Sequence, residues 1–329
     1  MPKKGLMGCS LPLAIGLVVV ITVLLLIGFV SGPIGKSILA TFAPNVSLPS
    51  WLSVPQPEPK LPAEAVFHVL GLPVTNTMVA TWITVIFLVV FSYIITRRMK
   101  FVPGRLQAAF EFLLGWLYDF CCNAAGEKNG RRFFPVVATI FLFVAFNAWL
   151  GLLPGYGSIM IHTKEGAVHL IRPANTDLNT PLAIAVVAVI SVQVFGLTSI
   201  GPRYIAKFIN TFALFGIFKS FGEIFKGKFI DGISGIVTGI IEIFVGIMEL
   251  LSEFIHIVSF TFRLFGNMTA GEVLILVAVF LVPWVFALPF YGLELLIGFI
   301  QGLIFSGLTL IFLTMAAASH EEEHTEEHA

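Results

Sequence analysis

Residues 233–281 form an apolar run with no proline. Within it the stretch EIFVGIMELLSEFIHIVSFTFRLFGNMTAGE, residues 242–272, carries Glu242, Glu249, Glu253, His256, Arg263, Asn267 and Glu272. A single helix over the whole run would extend ~73 Å at about 1.5 Å per residue. That is more than twice the roughly 30 Å hydrocarbon thickness of a bilayer, so the helix has to lie steeply tilted. Glu242, Glu249, His256 and Arg263 recur every seven residues. Such a step drifts by only about 20° around a helix, so the four make one slowly winding stripe. Asn267 follows Arg263 by four residues and stays near that face. Glu272 falls almost opposite. An ionisable group at membrane depth costs roughly 3 kcal/mol on insertion scales and more in simulations, which makes each a functional candidate. A row of them points to an ion path.

The rest of the chain suits a membrane. Of its 329 residues 57% are hydrophobic and 12% charged, about half the charge of a soluble domain. The alternating segments of about ten residues that a β-barrel needs are missing. The expected fold is an all-α polytopic membrane protein. It has several transmembrane helices, a long tilted hairpin over 233–281 and 290–316, and amphipathic helices in the interface. Cys9, Cys121 and Cys122 form no disulfide framework. No basic patch suits nucleic acid.

Three segments are expected in order. Residues 1–65 are an N-terminal extension, with one transmembrane helix over 11–30, read as a retained signal anchor, and a Pro-rich linker over 31–65. Residues 66–319 are the main membrane domain, and residues 320–329 are an acidic, His-containing tail. In the main domain 78–96, 133–153 and 181–200 read as spans. Residues 104–123 read as an amphipathic surface helix, with Trp116 and Tyr118 as interface anchors. Residues 203–230 mix Phe with lysines, as in a helix lying on anionic lipid. Gly298, Gly302 and Ser306 are four apart, a face that permits close helix packing. With the N-terminus in the cytoplasm, most of the 19 Lys and Arg residues fall inside. Only Lys36, Lys60, Lys164 and Arg172 fall outside, and Arg263 lies in the membrane. Both termini are therefore expected to be cytoplasmic.

The stripe contains two kinds of group. Arg263 is a fixed cation, because a guanidinium is not deprotonated in a protein. The carboxylates and His256 change protonation state and can pass protons. The next helix adds Glu294 and Gln301, again seven apart and on one face. In an antiparallel hairpin Glu294 approaches Glu272 near the external side, while Glu242 and Glu249 lie toward the cytoplasm. Arg263 falls between the two groups, as an electrostatic barrier between two access routes.

Arg263-Leu264-Phe265-Gly266-Asn267-Met268, with Ala270-Gly271-Glu272, resembles the signature of subunit a of the F-type ATP synthase. Asn147 with Gly151-Leu152-Leu153-Pro154, Asp177-Leu178-Asn179, the Gln301 helix and the acidic C-terminus are similar to that family too. The resemblance runs from about residue 68 to the end. It implies a stator subunit that offers two offset half-channels to a rotating c-ring and couples proton flow to ATP synthesis. It has no catalytic activity alone. Arg263 would be the essential arginine facing the ring, and a ring carboxylate passing it must be ionised. Glu249 would serve the cytoplasmic half-channel, and Asn267, Glu272, Glu294 and Gln301 the external one. Ser259 sits at a matching small polar position, while His256 and Glu242 join the path without an assigned role. The implied partners are the c-ring, the peripheral-stalk b subunits and membrane lipid, in a bacterial inner membrane, with no cofactor and no metal. Relatives vary at the positions of Gly271 and Glu294, and some carry His where Glu294 stands.

Two other readings compete. A Na⁺-coupled version of the same subunit is compatible with these residues, because the ion-binding carboxylate belongs to the ring. A self-contained secondary transporter would often show internal repeats, and none is found. His320-Glu321-Glu322-Glu323-His324 matches a zinc-protease pattern. With no third ligand and no scaffold, it reads as a solvated tail.

Overall fold

The computed structural model describes residues 11–42, 62–201 and 229–318, apart from positions 70, 98, 154, 157–158 and 164–165, together with the isolated residues 49, 56 and 204. In order these form α1 (Leu11–Ser31), α2 (Pro33–Phe42), β1 (Ala65–Val69), β2 (Leu72–Thr75), α3 (Asn76–Arg97), α4 (Arg105–Gly151), β3 (Met160–Thr163), β4 (Gly166–His169), α5 (Asn179–Ile200), α6 (Phe229–Leu281) and α7 (Leu288–Ala318). Among the described residues six helices are long and apolar enough to cross a membrane, and the chain is an all-α, multi-pass membrane protein. The interface helix expected over 203–230 and the tail 320–329 lie outside the described residues, save Tyr204, Phe229 and Ile230.

The long run is one helix. α6 holds 53 residues without a break, ~80 Å of helix. No proline interrupts its backbone hydrogen bonds. The chain then turns through Pro283 and a short 3-10 segment, Trp284–Ala287, into α7. Pro289 takes the second position of α7, where its missing N–H leaves no bond unmade.

One expectation needs correction. The segment 31–65 is not all linker, since α2 makes 33–42 helical. Its PIGKSILATF contains one proline, at the first helical position, where proline is tolerated. Residues 104–123 and 133–153 are two helices, as expected, extended until only Gly126 separates them. They are the two arms of α4, bent at Gly126. Its φ of 76° suits glycine alone among unstrained residues. The arms double back, with Tyr118 edge-on to Phe134 at 5.4 Å. Gly130 lies so close to the Cys121–Cys122 backbone that a Cβ there would clash. Arg131 and Arg132 sit inside the second arm rather than before it.

Two compact units emerge. The first comprises 1–80, 147–177 and 266–299. Its two small antiparallel hairpins, β1–β2 and β3–β4, were not visible as alternating patterns. Thr75 ends β2 and caps α3, its hydroxyl accepting from the Met78 N–H at 3.3 Å. The Gly28 and Gly32 positions of α1 press against the backbone of Pro283 and Leu281. Gly298 meets Ala148 and Trp149, and the Trp149 indole N–H donates to the Leu295 carbonyl at 3.0 Å.

The second unit comprises 81–146, 178–265 and 300–329. In it α6 and α7 run antiparallel, with His256 against Phe312 and Phe260 against Phe305. Gly302 packs on the Phe141 carbonyl and Ala145, and Ser306 is fully buried. Arg132 donates to the Thr198 hydroxyl at 2.8 Å and lies over the Phe195 ring, tying α4 to the end of α5.

Candidate functional site

The polar groups fall into two sets, one in each unit. In the first unit the centre is Glu272, on the last third of α6. The segment after β4 delivers Arg172 to it. The Arg172 Nη2–H donates to Glu272 Oε2 at 2.8 Å and Nε–H to Oε1 at 3.2 Å. This is a two-pronged pair, with the side chains 11% and 27% exposed, and such planar pairs fix orientation as well as charge. Nη1–H reaches the Pro62 carbonyl at 3.5 Å.

The residue before Glu272 is Gly271, buried, and the Glu294 carboxyl of α7 rests directly on it. The two helices can approach here because Gly271 has no side chain. Glu294 is 5% exposed, and its Oε2 has no hydrogen-bond partner among the described residues. Other buried polar atoms of this unit lack a protein partner too: Thr269 Oγ1, Asn76 Oδ1 and both amide atoms of Asn175. Buried polar groups of this kind are ordinarily satisfied by water. Asn267 lies on the exposed side of α6. Asp177 accepts from the Thr77 hydroxyl at 3.1 Å, joining the start of α3 to the segment leading into α5.

In the second unit the middle of α6 carries Glu253 and His256, with Oε2 and Nδ1 3.9 Å apart. The imidazole lies 4.2 Å from the Phe312 ring centroid. With Phe260, Val192 and Thr309, the pair lines a cavity of about 10 Å³, at the lower limit for one water. Glu249 is half-buried and Glu242 exposed. Tyr204 covers Gly196, leaving no room for a Cβ there. Burial pushes its hydroxyl up to about 12, and the nearby carboxylates of Glu253 and Glu249 add to the shift. Tyr204 therefore stays protonated and able to donate. Ser259 is exposed, and Arg263 is partly buried with no ion pair among the described residues. Gln301, 2% exposed, belongs to the α7 part of this unit.

The expected approach of Glu294 to the Glu272 region is therefore present. Two participants, Arg172 and Tyr204, were not singled out from sequence, and Glu253 was named there only as one polar group of the stretch. Arg172 was visible only as one of the few basic residues outside. Glu253 stands off the seven-residue stripe, and Tyr204 lies far from it in the chain. An arginine in a polar loop was the one available signal, and it needed a partner to become meaningful.

The family described as ATP synthase A chain matches residues 78–314. A protein called ATP synthase subunit a from Gloeobacter violaceus is 34% identical over 249 residues, 76% of this chain and 86% of its own. One from Moorella thermoacetica is 27% identical over 256 residues, covering 78% of this chain and 96% of that protein. One from Pelobacter propionicus, called ATP synthase subunit a 3, is 30% identical over 244 residues, 74% and 87% of the two chains. The matched region begins just inside α3 and ends four residues short of the end of α7, so α1, α2 and the first β-hairpin fall outside it. With the match covering most of its length, the chain belongs to the ATP synthase A chain family.

Proposed function

We propose that this protein is the ion-translocating stator subunit of a rotary ATP synthase in a bacterial inner membrane. The c-ring, peripheral-stalk b subunits and lipid are its partners, and protons are the coupling ion. The observation that carries this reading is the 53-residue helix α6. It bears one guanidinium, Arg263, with Glu242, Glu249 and His256 before it and Glu272 after it. Glu242, Glu249, His256 and Ser259 serve the cytoplasmic half-channel, and Asn267, Glu272, Glu294 and Gln301 the external one. Arg263 is the barrier. A fixed cation cannot relay a proton, so each proton crosses that level on a carboxylate of the ring. The ring carboxylate is ionised opposite Arg263 and neutral when it faces lipid, which gives the rotation a direction. Each proton crossing contributes about 2.3 kcal/mol per 100 mV. That Arg263 has no ion-pair partner within the described chain supports its availability to an outside carboxylate.

Arg263→Ala is expected to abolish ATP synthesis driven by an imposed proton gradient in membrane vesicles, with the complex still assembled. Undiminished synthesis would overturn the reading. The ion dependence of ATP hydrolysis by the purified complex separates H⁺ from Na⁺ coupling: Na⁺ stimulation at neutral pH would favour the latter.

A further inference from the structure

We infer that Arg172 is a positioning residue of the external half-channel: it holds Glu272 as a fixed, compensated anion and leaves Glu294 as the carboxyl that takes up and releases the proton. The inference rests on the function proposed above and concerns how its external set is divided. Three observations carry it. Glu272 is gripped at both oxygens by one guanidinium. Glu294 lies against the residue next to it, nine-tenths buried, with Oε2 unpartnered. The two carboxyls thus occupy one neighbourhood of one unit under opposite conditions.

Two bare carboxylates side by side repel, and either could trap a proton. The Arg172 fork removes one of them from that competition. It also anchors the chain after β4 and, through Nη1, the segment at Pro62. In the proton step an O–H bond forms at Glu294 as one breaks on an entering hydronium. The same bond breaks when the proton moves inward, so nothing else is consumed. Arg172 and Glu272 exchange nothing. Their task is to keep the charge beside Glu294 constant and its location fixed.

The test uses the whole ATP synthase in membrane vesicles, measuring ATP synthesis and ATP-driven proton pumping, with assembled complex quantified by immunoblot. Arg172→Gln is expected to lower both rates about tenfold, because a partly buried carboxylate loses its two-pronged partner. Arg172→Lys should recover part of the loss, since it restores charge without the fork. The double variant Arg172→Gln with Glu272→Gln should recover more than Lys does, because the uncompensated charge beside Glu294 is gone. The inference is overturned if Arg172→Gln matches the parent, or if the double variant is no better than Arg172→Gln. Should Arg172→Gln fail to assemble, the double variant decides alone: assembly with transport supports the inference, and assembly or absence without transport overturns it. Arg263→Ala in the same vesicles separates the levels. If it is inactive while the Arg172 variants behave as the parent does, only this inference falls. If it is active, the proposed function itself falls.

Discussion

The two units hold their charges differently. The first pairs Glu272 with a guanidinium in a two-pronged bond at 2.8 and 3.2 Å. The same unit keeps buried polar atoms without hydrogen-bond partners among the described residues, at Glu294, Thr269, Asn175 and Asn76. The second sets Glu253 and His256 3.9 Å apart, against Phe312, Phe260 and a cavity of one-water size. One is a locked charge in the same unit as groups that water must satisfy. The other is a loose pair of titratable groups walled by aromatic rings. A locked pair suits constancy of field, whereas a loose pair can change its proton count at little geometric cost. A locked and a loose arrangement of charge thus stand on a single helix.

The comparison breaks soonest at Glu294. Glu294→Gln removes a buried titratable group of the first unit but keeps its shape. ATP synthesis in vesicles should fall at least about tenfold, the size of effect expected when a general acid–base group is removed. Cys121→Ser, at an equally buried site in the second unit, should change the rate far less. Equal rates for the two variants would erase the distinction between a working carboxyl and ordinary core. Gly271→Ala sharpens the same point. Its Cβ would land on the Glu294 carboxyl, the far end of a flexible side chain, which can swing aside. Protein abundance should therefore hold while transport drops by roughly three- to tenfold, consistent with the sensitivity of proton transfer to small misplacements. A loss of the protein itself would show that the close approach serves packing alone.

How much of this was readable from sequence differs between the units for a physical reason. The long helix and the stripe follow from period and length alone, and α6 is one uninterrupted helix. The approach of Glu294 to the Glu272 region followed from antiparallel pairing. The Arg172 contact did not, because loop residues have no period and their partners lie a hundred positions away. The same holds for Tyr204, which reaches the Glu249 and Glu253 neighbourhood from beyond the end of α5. The bend at Gly126 was hidden among glycines that need no special backbone. The two β-hairpins are too short for alternation to register. Pattern reading recovered what repeats along one element, and missed side chains delivered singly by connections.

In the second unit, His256→Ala should slow transport about threefold, and Glu253→Gln by a similar amount. The double variant should be no worse than either alone, since neighbouring groups acting as a unit are not additive. Independent, multiplying losses would mean that the two side chains do not act together.

The smallest effect is expected at Tyr204. Tyr204→Phe deletes one hydroxyl and keeps the ring on Gly196, so stability should change by no more than about 1 kcal/mol. Transport should fall about twofold if the hydroxyl donates toward the Glu249 and Glu253 carboxylates. The sign of the pH dependence is fixed by its proton. Burial raises the hydroxyl to about 12, so the neutral, donating form persists at every lower pH. The ratio of parent to variant rates should therefore stay flat from about pH 6 to about pH 9. A ratio that rises or falls across that window would mean the phenol works through the titration of its neighbours. The second unit would then be tuned by a fixed donor, as the first is by its fixed guanidinium, and the contrast between them would narrow.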